Sequence, residues 1–237
     1  MELSVIIPAY NEAERIVPLL HDLHQFYSKA EIIVVDDGST DNTPEIADAW
    51  GAKVILHQIN QGKGAAVKTG VLAAQGDVIA FMDADMAVPL EYIDVALKAI
   101  ENGADIVIGS RELHGSIVHR SFVRNLPGKT FSLMVRLLTR LPYKDTQCGF
   151  KFFKYPSTQM IFPELKNKGL IFDVEILLWA QQFNLNIVQI PVEWHEKKGS
   201  KINLFRDGIK MVWSLFQIWT VRKKIKESVC TAENPIS

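Results

Sequence analysis

The chain has 237 residues, of which 48% are apolar, and a formal net charge of −1. The length fits one domain with or without a tail, and the apolar fraction excludes an intrinsically disordered chain. The near-zero net charge gives no electrostatic argument for a nucleic-acid-binding protein, and we expect no nucleic-acid partner.

The first half of the sequence alternates short β-branched runs with helical patterns. Strands are predicted at residues 5–7, 31–35, 53–56, 78–82 and 105–108. Helices are predicted near residues 12–28, 42–50, 63–75 and 89–102. Alternation of this kind predicts an α/β fold with a mainly parallel sheet that is covered by helices on both faces.

The second half is less regular. It is predicted to be helical over 121–140, strand or loop over 145–153, helical over 172–184, strand over 186–194, and helical again over about 203–226. We find no internal repeat and no linker that divides the chain. The expected organisation is therefore one domain over residues 1–202, an amphipathic helix over 203–227 and a flexible tail over 228–237.

Cysteine usage and hydropathy indicate the compartment. Cys148 and Cys230 form neither a CxxC motif nor zinc spacing, which favours a reduced, cytosolic setting over a disulfide. A strand pattern opens the chain with no apolar leader before it, so we expect no signal peptide. No window offers the ~18 apolar residues of a transmembrane span, and the protein is expected to be cytoplasmic.

Two acids, Asp83 and Asp85, follow the apolar run at 78–82. In an open α/β sheet the ligand crevice lies beyond the carboxyl ends of the strands. Carboxylates at i and i+2 point to the same side of an extended segment, where they repel each other unless a cation lies near them. A divalent ion that also bridges a diphosphate would satisfy both acids, and two solvated loop acids are the alternative.

Three further motifs are expected to border the same crevice. They are Pro8-Ala9-Tyr10-Asn11-Glu12, Asp36-Asp37-Gly38-Ser39 and Asn60-Gln61-Gly62-Lys63-Gly64. Tyr10 can pack on a base, and Asp37 can accept hydrogen bonds from a base or a ribose. Lys63 and its glycines, at a predicted helix N-terminus, can receive an anionic group. Each motif taken alone also suits an ordinary capped loop.

Together and in this order, these segments resemble family 2 glycosyltransferases of the polyprenyl-phosphate branch. Three later segments resemble the dolichyl-phosphate glucosyltransferase subgroup, namely Gly109-Ser110-Arg111, Asp145-Thr146-Gln147-Cys148-Gly149-Phe150-Lys151 and Phe172-Asp173-Val174-Glu175. The resemblance implies a Rossmann-like GT-A domain with a mixed, mainly parallel sheet. It also implies a nucleotide-sugar donor, with UDP-glucose favoured, and a polyprenyl or dolichyl phosphate acceptor.

The motifs and the resemblance predict the site residues. Nucleotide-sugar binding is predicted for Pro8, Ala9, Tyr10, Glu12, Asp37, Lys63, Asp83, Ala84, Asp85 and Lys201. By resemblance, Asp83 and Asp85 hold Mg2+ or Mn2+, and Asp85, Arg111 and Arg124 are catalytic. Ala87 stands where mannosyl relatives often carry a metal-ligating Gln, so we expect fewer protein ligands to the metal.

The predicted chemistry is an inverting hexosyl transfer. A lipid phosphate is already anionic and needs no general base, but it needs cations, and Arg offers a planar donor fork for phosphate oxygens. Arg111, Arg120 and Arg124 follow the predicted sheet and can supply this charge. The alternatives are GDP-mannose as donor, a saccharide hydroxyl acceptor with Asp173 as general base, or a non-catalytic nucleotide-sugar-binding protein.

The last predicted helix is amphipathic. Phe205, Ile209, Val212, Phe216 and Trp219 recur at +4, +3, +4 and +3, and a basic run over 222–226 follows. Aromatic residues on one face and a basic end suit a helix at a membrane interface. We therefore expect peripheral association with the cytoplasmic face of a membrane, and the alternative is a helix packed on the domain or on a second copy.

Overall fold

The computed structural model of the protein describes residues 1–119, 133–169, 171–195, 213, 216–223 and 225. A seven-stranded sheet forms its centre, and a separate two-stranded sheet lies beside it. In the first two thirds the elements are β1 Leu3–Ala9, α1 Ala13–Phe26, β2 Glu31–Asp36, α2 Thr43–Ala49, β3 Lys53–Leu56, α3 Lys63–Ala73, β4 Val78–Met82, α4 Tyr92–Glu101, β5 Ile106–Ser110, β6 Ile117–His119 and α5 at 133–139.

The remaining elements are β7 Phe150–Lys154, α6 Tyr155–Ile161, α7 Phe172–Gln182, β8 Ile187–Pro191 and β9 Glu193–His195. Residues 216–223 are also helical. The large sheet has the strand order β3-β2-β1-β4-β7-β5-β8. Its neighbouring strands are parallel except β7, which runs antiparallel to both β4 and β5.

Two apolar layers cover the sheet. Val5 and Ile7 of β1 face one layer, which contains the buried sides of α1, α2 and α4, while Ile6 faces the other, which contains α3, α6 and α7. Every residue of β4 and β5 is buried, as expected for strands that have helices on both faces. The expectation of a mixed, mainly parallel α/β sheet is therefore confirmed.

The strand order creates a switch point between β1 and β4. The chain builds outward from β1 through β2 to β3, and then returns to place β4 on the other side of β1. Ligands of open α/β sheets bind where the strand order reverses in this way, beyond the carboxyl ends of the strands. The segments after β1, β2 and β4, which carry the predicted motifs, meet at this position.

The predicted elements agree with the structure in number and order through β5, with ends displaced by a few residues. The predicted strand over 186–194 is divided into β8 and β9, because Val192 lies between the two sheets. Of the region predicted to be helical over 121–140, the described residues 133–139 are helical, and 120–132 lie outside the described residues. Within the described part of the chain, no helix combines the length and apolar character required to cross a bilayer.

Candidate functional site

A cleft of about 340 Å3 opens at the switch point between β1 and β4. This volume lies at the lower end of the range usual for small-molecule sites, about 300–1,000 Å3. Its lining residues are Pro8, Ala9, Tyr10, Glu12, Asp37, Asn60, Gly62, Lys63, Ala66, Asp83, Ala84 and Asp85. The structure thus brings nine of the ten predicted nucleotide-sugar residues to one cleft, and the individual role of each stays a prediction.

Glu12 and Tyr10 form the β1 side of the cleft. Tyr10 is half exposed, so its ring is available to a planar ligand. The Glu12 carboxylate pairs with Nε of Arg15 at 2.9 Å. Burial raises the pKa of Glu12 against the opposing effect of Arg15, and the carboxylates of Asp85 and Asp83 raise it further. Glu12 therefore belongs electrostatically to the acidic cluster at the end of β4.

Asp37 is a buried hydrogen-bonding hub. Its Oδ1 accepts hydrogen bonds from the backbone N–H of Gln61 at 2.9 Å and from Nδ1 of His57 at 2.7 Å. Its Oδ2 accepts one from the backbone N–H of Gly62 at 2.7 Å. A carboxylate has about four acceptor positions, so the predicted contact with a nucleoside has at most one position left. Asp37 thus holds Gln61 and Gly62 of the glycine-rich loop together with His57.

The glycines of this loop are required by packing. Gly62 has φ +101°, and a Cβ there would lie 2.4 Å from the carbonyl oxygen of Lys168. A Cβ on Gly64 would lie 2.6 Å from the carbonyl oxygen of Asn167. The backbone N–H of Gly64 donates to the Lys168 carbonyl at 2.9 Å. Since this amide is already bonded, an anion at the start of α3 would depend mainly on the Lys63 side chain.

The acidic pair at the end of β4 is neutralised in part by Lys63. Its Nζ lies 2.5 Å from Oδ1 of Asp83. Burial alone would lower the pKa of Lys63, but the carboxylates of Asp83 and Asp173 raise it. Burial raises the pKa of Asp85, and the neighbouring charge of Asp83 raises it further. Both shifts show a site that favours a nearby positive charge.

These residues fit a hard divalent cation. Two carboxylates at one strand end are the oxygen ligands that Mg2+ and Mn2+ prefer, and an ammonium group already pairs with one of them. Gly149 lets the chain approach closely, because a Cβ there would lie 2.1 Å from Oδ2 of Asp83. Ala87 provides no side-chain ligand, and its carbonyl accepts a hydrogen bond from the His195 N–H at 2.9 Å.

Arg111, which was predicted to contact the acceptor phosphate, is paired with the carboxylate of Asp145. Its Nε and Nη2 donate to the two carboxylate oxygens of Asp145 at 2.7 and 2.8 Å, and its backbone N–H donates to Oδ2 at 2.9 Å. Its guanidinium carbon lies 5.5 Å from the ring centroid of Trp194. Burial would lower the pKa of Arg111, but Asp145 raises it, so the group stays charged. Arg111 therefore lies in a partly buried ion pair, and its predicted contact with the acceptor phosphate stays a prediction.

Asp173 is poorly placed for the alternative role of general base. It is 3% exposed, and its Oδ1 lies 2.5 Å from Nζ of Lys151, which is completely buried. Burial raises the pKa of Asp173, and the ammonium group of Lys151 opposes that shift. A general base must reach the proton that it removes. Asp173 instead pairs with the buried Lys151, which disfavours the hydroxyl-acceptor alternative.

Some predicted residues lie outside the described residues, namely Arg120, Arg124 and Lys201. Four contacts of the predicted residues were not predicted, namely His57, Asp145, Lys151 and Trp194. Asp145 and Lys151 belong to a segment that the resemblance singled out, but nothing in its local pattern reveals their partners. Each partner is at least 20 residues away along the chain.

The fold and the site define a GT-A type glycosyltransferase that uses a nucleotide sugar. Residues 4–158 match the model of glycosyl transferase family 2. The chain is 36% identical to a dolichyl-phosphate beta-glucosyltransferase of Dictyostelium discoideum, covering 91% of this chain and 73% of that protein. It is 37% identical to the Saccharomyces cerevisiae enzyme of the same name, covering 90% and 72%. The chain belongs to glycosyl transferase family 2.

Solved structures agree on the fold. Glucosyl-3-phosphoglycerate synthase from Mycobacterium tuberculosis, in complex with Mn2+, UDP and glucosyl-3-phosphoglycerate, superposes with a TM-score of 0.67. The two chains are 21% identical, and the match covers 92% of this chain and 80% of that one. At this identity the likeness establishes the shared fold.

Proposed function

We propose that this protein transfers glucose from UDP-glucose to a dolichyl-type polyprenyl phosphate, with inversion at the anomeric carbon. The observation that carries the proposal is the cleft at the β1–β4 switch point, lined by Asp37, Lys63, Asp83 and Asp85, in a chain whose named relatives are dolichyl-phosphate beta-glucosyltransferases. The family supports a glycosyl transfer, and the relatives support the sugar and the acceptor class.

The chemistry of the two substrates favours a direct displacement. An oxygen of the acceptor phosphate attacks the anomeric carbon, the bond from that carbon to the UDP oxygen breaks, and UDP leaves with the bonding electrons. The nucleophile is already anionic, so no side chain needs to remove a proton. The demands on the protein are to orient the two substrates and to stabilise negative charge on the leaving diphosphate.

Lys63 and the acidic pair would stabilise the negative charge on the leaving diphosphate. Asp83 and Asp85 would hold the divalent cation, which when bound supplies a Lewis acid for the diphosphate oxygens. Lys63, 2.5 Å from Asp83, would add the positive charge of its ammonium group beside the diphosphate. Tyr10 and the loop held by Asp37 would position the nucleoside.

The C-terminal helix supports contact with a membrane. Ile218 and Ile225 are buried against the domain, while the side chains of Trp213, Phe216 and Trp219 are exposed on the opposite side of the helix. Nζ of Lys223 lies 5.9 Å from the ring centroid of Trp219. One side of the helix therefore packs on the domain and leaves the aromatic side exposed. We propose that the aromatic side enters the interfacial region of the membrane that carries the acceptor.

A donor screen tests the proposal. UDP-glucose, GDP-mannose and UDP-N-acetylglucosamine are each incubated with the protein, Mn2+ and one polyprenyl phosphate, and initial rates of nucleoside diphosphate release are compared. We expect UDP-glucose to give the fastest lipid-dependent release. A higher rate with GDP-mannose would contradict the assignment of the donor, and release that does not depend on the lipid would contradict that of the acceptor.

A further inference from the structure

A second cluster of metal-binding side chains lies on the small β6–β9 sheet. His119 and His195 are directly paired across the two parallel strands. Glu193 lies two residues before His195, so alternation along β9 puts both side chains on the same face. Side-chain nitrogen and oxygen atoms of these three residues all lie within 4.8 Å of one another.

Both imidazoles reach the same carboxylate oxygen. Nε2 of His119 lies 3.2 Å from Oε1 of Glu193, and Nε2 of His195 lies 2.9 Å from the same oxygen. The two imidazole rings are stacked, with centroids 4.6 Å apart and planes inclined by 8°. Ligands of a tetrahedral zinc ion at bond lengths of about 2.0–2.2 Å are themselves about 3.3 Å apart, which is close to the two nitrogen–oxygen distances.

We propose that His119, Glu193 and His195 form a transition-metal site of the Zn2+ class, separate from the cation at Asp83 and Asp85. Two imidazoles and one carboxylate are a donor set that zinc uses with a water in the fourth position. Imidazole nitrogen favours Zn2+, Ni2+ or Cu2+, whereas the all-oxygen pair in the cleft favours Mg2+ or Mn2+. The side chains of His119 and His195 are 56% and 43% exposed, so an ion and its water can enter.

An ion at this position would brace β9 against β6. It would join two segments 74 residues apart in the chain. The intervening residue of β9, Trp194, contacts Arg111 by a cation–π interaction. The backbone N–H of His195 donates to the carbonyl of Ala87, two residues beyond Asp85. Zinc would therefore hold β9, and with it the position of Trp194 and the Arg111–Asp145 pair.

Metal titration of the complete protein tests this proposal. Zn2+ is titrated calorimetrically in the presence of saturating Mg2+, and Co2+ is added in parallel to follow the visible bands of a tetrahedral complex. We expect one Zn2+ per chain and a Zn2+-dependent rise in Tm, because an ion that binds only the folded protein stabilises it. The apparent Zn2+ affinity obtained from both signals should be at least about tenfold lower in the His119→Gln/His195→Gln variant and in Glu193→Gln, because ligands of the ion are lost.

Two control variants establish whether Zn2+ binds at this cluster. His21→Gln removes an exposed histidine that also contacts a carboxylate, that of Asp22 at 2.8 Å, and it should bind Zn2+ like the unmodified protein. Asp85→Asn should also retain the Zn2+ signal. Undiminished Zn2+ affinity in folded His119→Gln/His195→Gln protein would overturn the proposal, as would loss of the signal in Asp85→Asn. The proposal does not depend on which sugar or acceptor the enzyme uses.

Discussion

The Nζ atom of Lys63 lies 2.5 Å from Oδ1 of Asp83, so the first residue of α3 supplies a positive charge to the acidic pair at the end of β4. The ammonium group and a divalent cation would compete for the same carboxylate. This relationship connects the glycine-rich loop to the metal site and leads to the first prediction.

Replacing Lys63 with Met should strengthen the binding of Mn2+ alone, because it removes the competing charge from Asp83. For a partly exposed pair the gain should be about three- to tenfold in affinity. Transfer should nevertheless slow, since the leaving diphosphate loses a cation. Isothermal titration with Mn2+ and an initial-rate assay measure the two effects, and weaker Mn2+ binding in the variant would contradict the competition.

Asp85→Asn should stabilise the metal-free protein at neutral pH. The pKa of Asp85 is raised by burial and by Asp83 above its ordinary value of 3.8. Between that value and the raised one, the folded state binds more protons than the unfolded state, so rising pH costs stability. The Asp85→Asn variant has no ionisable group at this position, so it does not lose this stability as the pH rises. Thermal unfolding without metal, followed from acid to neutral pH, should show the two proteins diverging as the pH increases.

The same variant should lose the response to Mn2+. In the unmodified protein, stabilisation by Mn2+ requires ionised carboxylates, and it should fade as pH falls through the raised pKa of Asp85. Equal Mn2+-dependent increases in Tm for the two proteins at neutral pH would contradict the role of Asp85 as a ligand.

The acidic pair Asp83 and Asp85, compared with Arg111, shows how much of the site the sequence could predict. Asp83 and Asp85 were correctly located because a buried run and an alternating βα pattern suffice to place a strand end at the crevice. The pairing of Arg111 with Asp145 was not predicted, because the two residues are 34 positions apart along the chain. That pairing depends on β7 entering the sheet antiparallel between β4 and β5, which no periodicity in the sequence indicates.

The contact between His119 and His195 is a second one that the sequence could not predict. His119 and His195 are ordinary single histidines in the sequence, and only the parallel register of β6 and β9 makes them neighbours. Lys151 and Asp173 are likewise brought together by the packing of β7 against α7. Local patterns thus predicted the elements and the strand-end motifs, but not the ion pairs formed across the sheet.

Arg111→Ala should destabilise the fold and not only slow transfer. It leaves Asp145 buried without its partner, and removal of one member of a buried pair costs about 3 kcal/mol in the free energy of unfolding. Lys53→Ala is the control, because Lys53 forms an exposed pair with Glu31 at 3.4 Å and should cost less than about 1 kcal/mol. Urea unfolding measures both, and equal losses would contradict a structural role for the Arg111–Asp145 pair.

Gly62→Ala should impair folding and UDP binding together. The backbone at Gly62 has a positive φ, and the new methyl group would collide with the Lys168 carbonyl, for a combined cost of about 3 kcal/mol. Gly103 is a matched control. It has φ +102°, but a Cβ there meets nothing within 4 Å, so Gly103→Ala should cost only about 1 kcal/mol. A similar loss of stability and UDP affinity in both variants would contradict the claim that the collision with the Lys168 carbonyl makes Gly62→Ala more harmful.

Phe216→Ser/Trp219→Ser should reduce binding to anionic liposomes without unfolding the protein, since both side chains are about half exposed. Phe26→Ser provides the control, because Phe26 is 65% exposed on α1 and lies outside the C-terminal helix. Sedimentation with vesicles that contain an anionic phospholipid compares the three proteins. Equal sedimentation of all three would argue against an interfacial role for the aromatic side.

The most direct measurement follows labelled glucose from UDP-glucose into the organic phase, with polyprenyl phosphate and Mn2+ present. The proposed function predicts label in an acid-labile glucosyl lipid phosphate of β configuration, and loss of that product with EDTA or with Asp83→Asn. Label that remained in the aqueous phase, or that appeared only in a saccharide, would contradict transfer to a lipid phosphate.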